Sequence, residues 1–74
     1  MKRYTAELKV NYGGGETSII EKHFDKFADA LETCQKFRKN AGVNYGGAVI
    51  RENDWANEIY NCTVTGEEKF YKFW

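Results

Sequence analysis

Hydrophobic and polar residues alternate without a break over residues 3–12. Tyr4, Ala6, Leu8, Val10 and Tyr12 take one parity, and Arg3, Thr5, Glu7, Lys9 and Asn11 the other. A period of two is that of a strand with one buried and one wet face. Gly13-Gly14-Gly15 stops the pattern, and glycine's tolerance of positive φ makes this a hairpin turn. The return strand runs through Thr17-Ser18-Ile19-Ile20-Glu21-Lys22-His23.

The period then changes. Phe27, Ala30, Leu31, Cys34, Phe37 and Ala41 recur at spacings of three and four, which places them on one face of a helix. Asp25 is the expected N-cap. Asp29 near the start and Arg38 and Lys39 near the end suit the helix dipole. Glu32 and Lys36 form an i,i+4 pair worth roughly 0.2–0.5 kcal/mol, and Gly42 stands at the position where a helix commonly ends. A third strand is expected over Tyr45 to Glu52, loosened by Gly46-Gly47. A polar turn follows, Asn53-Asp54-Trp55-Ala56-Asn57, and then a fourth strand over Glu58 to Thr65. After a turn at Thr65-Gly66-Glu67-Glu68, the tail Lys69 to Trp74 reads as a fifth strand, with a short helix as the alternative.

The order ββαββ, or ββαβββ with the tail, predicts one α+β domain over residues 1–74. Its expected architecture is an antiparallel sheet of four to five strands with one helix packed on one face. A chain of 74 residues buries only about 60% of the surface its unfolded form exposes. The large side chains that such a core requires are present: two Trp, five Tyr and five Phe.

Charge narrows the partner classes. Eleven basic and eleven acidic residues cancel, which argues against a basic whole-molecule DNA binder and equally against an acidic decoy of nucleic acid. Neutrality also removes a brake on self-association, so a homodimer is open. No apolar run reaches membrane-spanning length, and Met1-Lys2-Arg3-Tyr4 leads into the alternating strand rather than a signal peptide. The expectation is a cytoplasmic protein without a membrane partner. Asn61-Cys62-Thr63 matches a glycosylation sequon but lacks that secretory context.

Candidate chemistry is sparse. His23 is the single histidine, with no second ligand at metal-binding spacing, and it reads as a surface residue at a strand end. Cys34 falls on the apolar helix face and Cys62 on the fourth strand. Both read as small buried hydrophobes, with a disulfide between them left open. Gly15 is followed by Glu16, which opposes the phosphate-loop pattern. Glu52, Asp54, Glu58, Glu67 and Glu68 lie around two turns without calcium-loop spacing and read as solvating charges. No enzyme, cofactor or metal is expected.

The aromatics carry the remaining signal. One helix covers one sheet face, yet the later strands place apolar groups on both parities, so some are expected to face a partner. Interfaces concentrate Tyr, Trp and Phe. The expected partner-binding residues are Trp55, Asp54, Tyr45, Ile59, Tyr71 and Trp74, with edge strands as templates for a partner's strand or for dimer pairing. The leading expectation is a non-catalytic protein-binding module. The alternative is a single-stranded nucleic-acid binder, with Lys2, Arg3, Lys9, Lys22 and Lys26 as a basic stripe and sheet aromatics as stacking platforms.

In size and layout the chain looks like the small single-domain inhibitors that bacteriophages use against host defence, anti-CRISPR proteins among them. The likeness is one of class: no motif carries it and no residue transfers, and the neutral charge departs from the acidic, DNA-mimicking members. It implies a protein target in a host defence complex.

Overall fold

The computed structural model describes residues 3–53 and 57–71. Five strands and one helix follow in the order β1 (Tyr4–Gly13), β2 (Glu16–Phe24), α1 (Phe27–Ala41), β3 (Tyr45–Glu52), β4 (Asn57–Cys62) and β5 (Glu68–Phe70). They form one antiparallel sheet ordered β2-β1-β3-β4-β5. The expected α+β architecture is therefore present, with the tail supplying the fifth strand. Because β2 and β3 both run antiparallel to β1, they run parallel to each other on its two sides. The chain must cross β1 between them, and α1 makes that crossing over one face of the sheet.

The helix closes on the sheet through small side chains. Ala6, Ala30, Ala48 and Cys34 are buried where α1 meets β1 and β3, with Leu8, Ile50 and Tyr60 filling the space between. Aromatic pairs seal the rim. Tyr4 meets Phe27 edge-on with centroids 6.0 Å apart, Phe37 meets Tyr45 at 5.7 Å, and Tyr60 meets Phe70 at 5.0 Å.

Two β-bulges explain why apolar residues of both parities reach this core. Ile50 faces Tyr60 but Arg51 faces Glu58, so Ile59 is an extra residue, and both Ile59 and Tyr60 turn inward. Likewise Leu8 faces Ala48 and Val10 faces Tyr45, so Gly46-Gly47 oppose Lys9 alone. Gly47 is required there by its backbone, and Gly46 is favoured by the closeness of β1. Gly47 adopts φ +116°, and a Cβ on Gly46 would lie 3.0 Å from the Lys9 carbonyl oxygen. The bulges overturn two expected partner contacts: Tyr45 and Ile59 are core residues, each 6% exposed.

Local boundaries differ at both helix ends and in the last two strands, β5 taking in Glu68 and ending at Phe70. Lys26, not Asp25, occupies the N-cap, and its side chain makes no capping bond. Gly42 has positive φ but ψ −123°, and it opens a short 3₁₀ turn over Gly42–Asn44 rather than a left-handed cap. β4 ends at Cys62 rather than Thr65, because Gly66 donates to the Thr63 carbonyl at 2.9 Å and closes a turn.

Candidate interaction surface

β2 lies at one edge of the sheet and β5 at the other. They differ in length. β5 has three residues and β2 has nine, of which all from Glu16 to His23 are exposed. Ile19 and Ile20, adjacent on β2, stay 58% and 41% exposed on opposite faces. Ile20 stands opposite Leu8 and Lys22 opposite Ala6, so Glu16, Ser18, Ile20 and Lys22 face the helix side. Thr17, Ile19, Glu21 and His23 face the open side.

The helix is centred over β1 and β3 and covers β2 only in part, leaving a gap beside it. The gap is a cleft of about 350 Å³ lined by Leu8, Ile20 and Phe37, with Lys22, Lys36 and Asn40 among its polar walls. Lys36 is bound to Glu32 at 3.1 Å.

The open face is polar. Arg51 Nε donates to Glu7 Oε1 at 3.0 Å, and Val49 is buried between Glu7 and Asn61 in neighbouring strands. His23 has a partner on each ring nitrogen: Nε2 lies 3.1 Å from Glu21 Oε1, and Nδ1 3.1 Å from Thr5 Oγ1. Thr5 Oγ1 donates to Asn53 Oδ1 at 2.5 Å. Carboxylate, imidazole and hydroxyl are the residue types of a nucleophilic triad. The Thr5 hydroxyl, however, donates to Asn53, and Thr5 is only 8% exposed. The chain of bonds links β2, β1 and the turn after β3, and His23 lies exposed near the end of β2, as its reading as a surface residue at a strand end expects.

A second polar cluster ties β5 to the helix. Glu68 Oε2 accepts from Tyr60 Oη at 2.6 Å and from Gln35 Nε2 at 3.2 Å. These bonds, Tyr60's first, hold the Glu68 carboxyl below its ordinary range. Burial, and then the bond to Glu68, push the Tyr60 phenol well above its own. Glu68 thus has a structural partner and is not only a solvating charge. So has Glu52, which is buried and lies 3.6 Å from Arg3 Nη2. Cys34 and Cys62 are free and buried. Burial, and then the neighbouring Cys62, push the Cys34 thiol up to about 12.

Among the described residues, those expected at an interface are divided between core and surface. Tyr71 is exposed and donates its backbone N–H to the Ile59 carbonyl at 3.0 Å, next to exposed Phe70. Asp54, Trp55, Trp74 and Lys2 lie outside the described residues. The expected basic stripe does not form among the others. Arg3 pairs with Glu52 and stacks 5.4 Å over the Tyr4 ring. Lys9 faces the open side, Lys22 the helix side, and Lys26 precedes the helix. Sequence reasoning missed Ile19 and Ile20. The available signal was Ile19 itself, an isoleucine at the same parity as Thr17, Glu21 and His23 on the wet face.

Among the described residues, no three or more His, Cys, Asp or Glu side chains gather as a metal site, and no helix is long and apolar enough to cross a membrane. No family model, curated protein or solved structure matches the chain.

Proposed function

We infer that this chain is a non-catalytic protein-binding module that engages its partner by strand pairing along β2. The observation that carries this reading is the free edge itself: nine residues long, exposed from Glu16 to His23, with Ile19 and Ile20 held in water. Unpaired backbone donors and acceptors along an edge are a template for another strand, and exposed isoleucines make its pairing more favourable.

The nucleic-acid alternative draws less support from the geometry. The sheet aromatics in ring contacts, Tyr4, Tyr45, Tyr60 and Phe70, belong to the helix side or its rim, and the cations are divided between faces. Size and layout add one expectation about the partner, a host defence complex, which the identity of a captured protein decides.

The test immobilises the chain and a variant carrying Ile19→Lys and Ile20→Lys. Both are offered extract of the source cells with and without nuclease treatment and, separately, the purified chain itself. Retention by the unaltered chain and loss by the variant supports the β2 reading. Equal retention by both would place the contact elsewhere. Retention that needs intact nucleic acid would transfer the function to the alternative.

A further inference from the structure

The geometry points to a second copy of this chain as the partner of β2, paired antiparallel about a two-fold axis through Ile19. This rests on the strand-pairing reading above and adds the partner and the register.

The edge lacks most of the devices that keep sheets apart. There is no proline in the chain, and the only register shift between β1 and β2 falls at Asn11 and Gly13, so β2 is unbroken from Thr17 to Phe24. Charged side chains remain, Glu16, Glu21 and Lys22, and their positions discriminate between registers. In a two-fold antiparallel pair each residue meets the one equally far on the other side of the axis, on the same sheet face.

An axis through Ser18 sets Glu16 against Ile20 and Thr17 against Ile19, and no charge is matched. With the axis at Ile20, Ser18 meets Lys22 and Ile19 meets Glu21, again unmatched. An axis at Glu21 or at Lys22 opposes that residue with its own like charge. Through Ile19, Glu16 of each copy stands opposite Lys22 of the other, on the helix side. The same register puts Ile19 against Ile19 on the open side, and Ile20 diagonal to its copy. Ser18 faces Ile20, and Thr17 faces Glu21, so no like charges are directly opposed. The chain's zero net charge adds no long-range repulsion to the approach of two copies.

Such a pair makes one continuous sheet with β2 strands at its centre and β5 at both outer ends. Both helices lie on the same side, and the two clefts between α1 and β2 join into one trough floored by the paired β2 strands. Phe70 and Tyr71 stay at the outer ends, clear of this contact.

Sedimentation velocity over a concentration series tests the proposal, combined with amide hydrogen exchange along β2. The expected result is a species of twice the 8.6 kDa chain mass with slowly exchanging β2 amides. Ile19→Lys, which sets like charges together on the axis, gives a monomer of unchanged far-ultraviolet circular dichroism. E16K and K22E each weaken the dimer by about tenfold or more, and the double variant E16K/K22E restores it by exchanging the partners. These positions are exposed, so folding is preserved in all of them. A chain that stays monomeric at several hundred micromolar overturns the second copy as partner. The strand-pairing reading then stands or falls on the capture experiment alone. A dimer that ignores both single charge reversals, or is not restored by the double one, overturns the Ile19 register. A dimer whose β2 amides exchange freely overturns pairing along this edge altogether.

Discussion

Tyr60 shows how one side chain serves two purposes. Its ring fills the core beneath the helix while its hydroxyl reaches Glu68 at the rim. The folded-state pKa of Glu68 lies below its unfolded value. The stability from that bond is therefore fully present above the unfolded pKa and is lost as pH falls through the folded one. Tyr60→Phe keeps the ring and removes the donor. Because Glu68 is exposed, solvent screens the interaction, and the expected cost at neutral pH is about 1 kcal/mol. Urea unfolding of both proteins between neutral pH and about pH 3 checks this, since the difference must shrink once Glu68 is protonated. A difference that stays constant across that range would mean the loss comes from packing and not from the charged bond.

At the scale of elements, the bulges decide which way the later strands face. The bulge between β1 and β3 depends on Gly47, whose φ of +116° suits no L side chain and whose Cβ would lie 3.2 Å from the Cys62 carbonyl oxygen. Gly47→Ala is expected to cost about 1–3 kcal/mol. Gly14, in the hairpin turn, also has positive φ, +60°, but a Cβ there meets nothing within 4 Å. Gly14→Ala should cost nearer 1 kcal/mol, the left-handed penalty alone. Urea midpoints of the two variants should fall in that order, and a reversed order would show that close approach at the bulge is not what requires glycine. β2 follows another rule: it is held by β1 along its whole length yet contributes almost nothing to the core, so it is free to pair outward.

The whole molecule is longer than its size requires. Its radius of gyration is 12.0 Å, against roughly 11 Å for a globule of this length. Its 38 Å long axis is twice the 19 Å short one, and residues 11–23 of the β1–β2 hairpin are exposed throughout. Stability must therefore concentrate where α1 covers β1 and β3. Ile50 sits there with 0% exposure. Ile50→Ala is expected to cost about 2–5 kcal/mol, a large share of the roughly 4–11 kcal/mol available to a domain of this length. In calorimetry that is a fall in Tm of roughly 13–32 °C. Ile20→Ala at the edge should change stability by under about 0.5 kcal/mol. Similar losses from both would mean that β2 is part of the cooperative core and not a free edge.

The sequence by itself determined the elements that periodicity controls. Alternation in Tyr4 to Tyr12, the glycine turn, the three–four spacing from Phe27 to Ala41 and the β-branched later strands all became the structures they predict, because each pattern needs only its own residues to sort a buried from a wet face. The α+β layering followed from their order. Strand order, the β2 edge and the burial of Tyr45 and Ile59 came only with the tertiary structure. A bulge reverses side-chain parity for reasons that lie in the partner strand, so Ile59 and Tyr60 could not both be read as core from their spacing. The pairings of Glu68 with Tyr60 and of His23 with Thr5 likewise join residues that only the strand register brings together. The candidate surface was the least legible part. Ile19 and Ile20 resemble ordinary strand residues until the fold leaves one side of their strand without a neighbour.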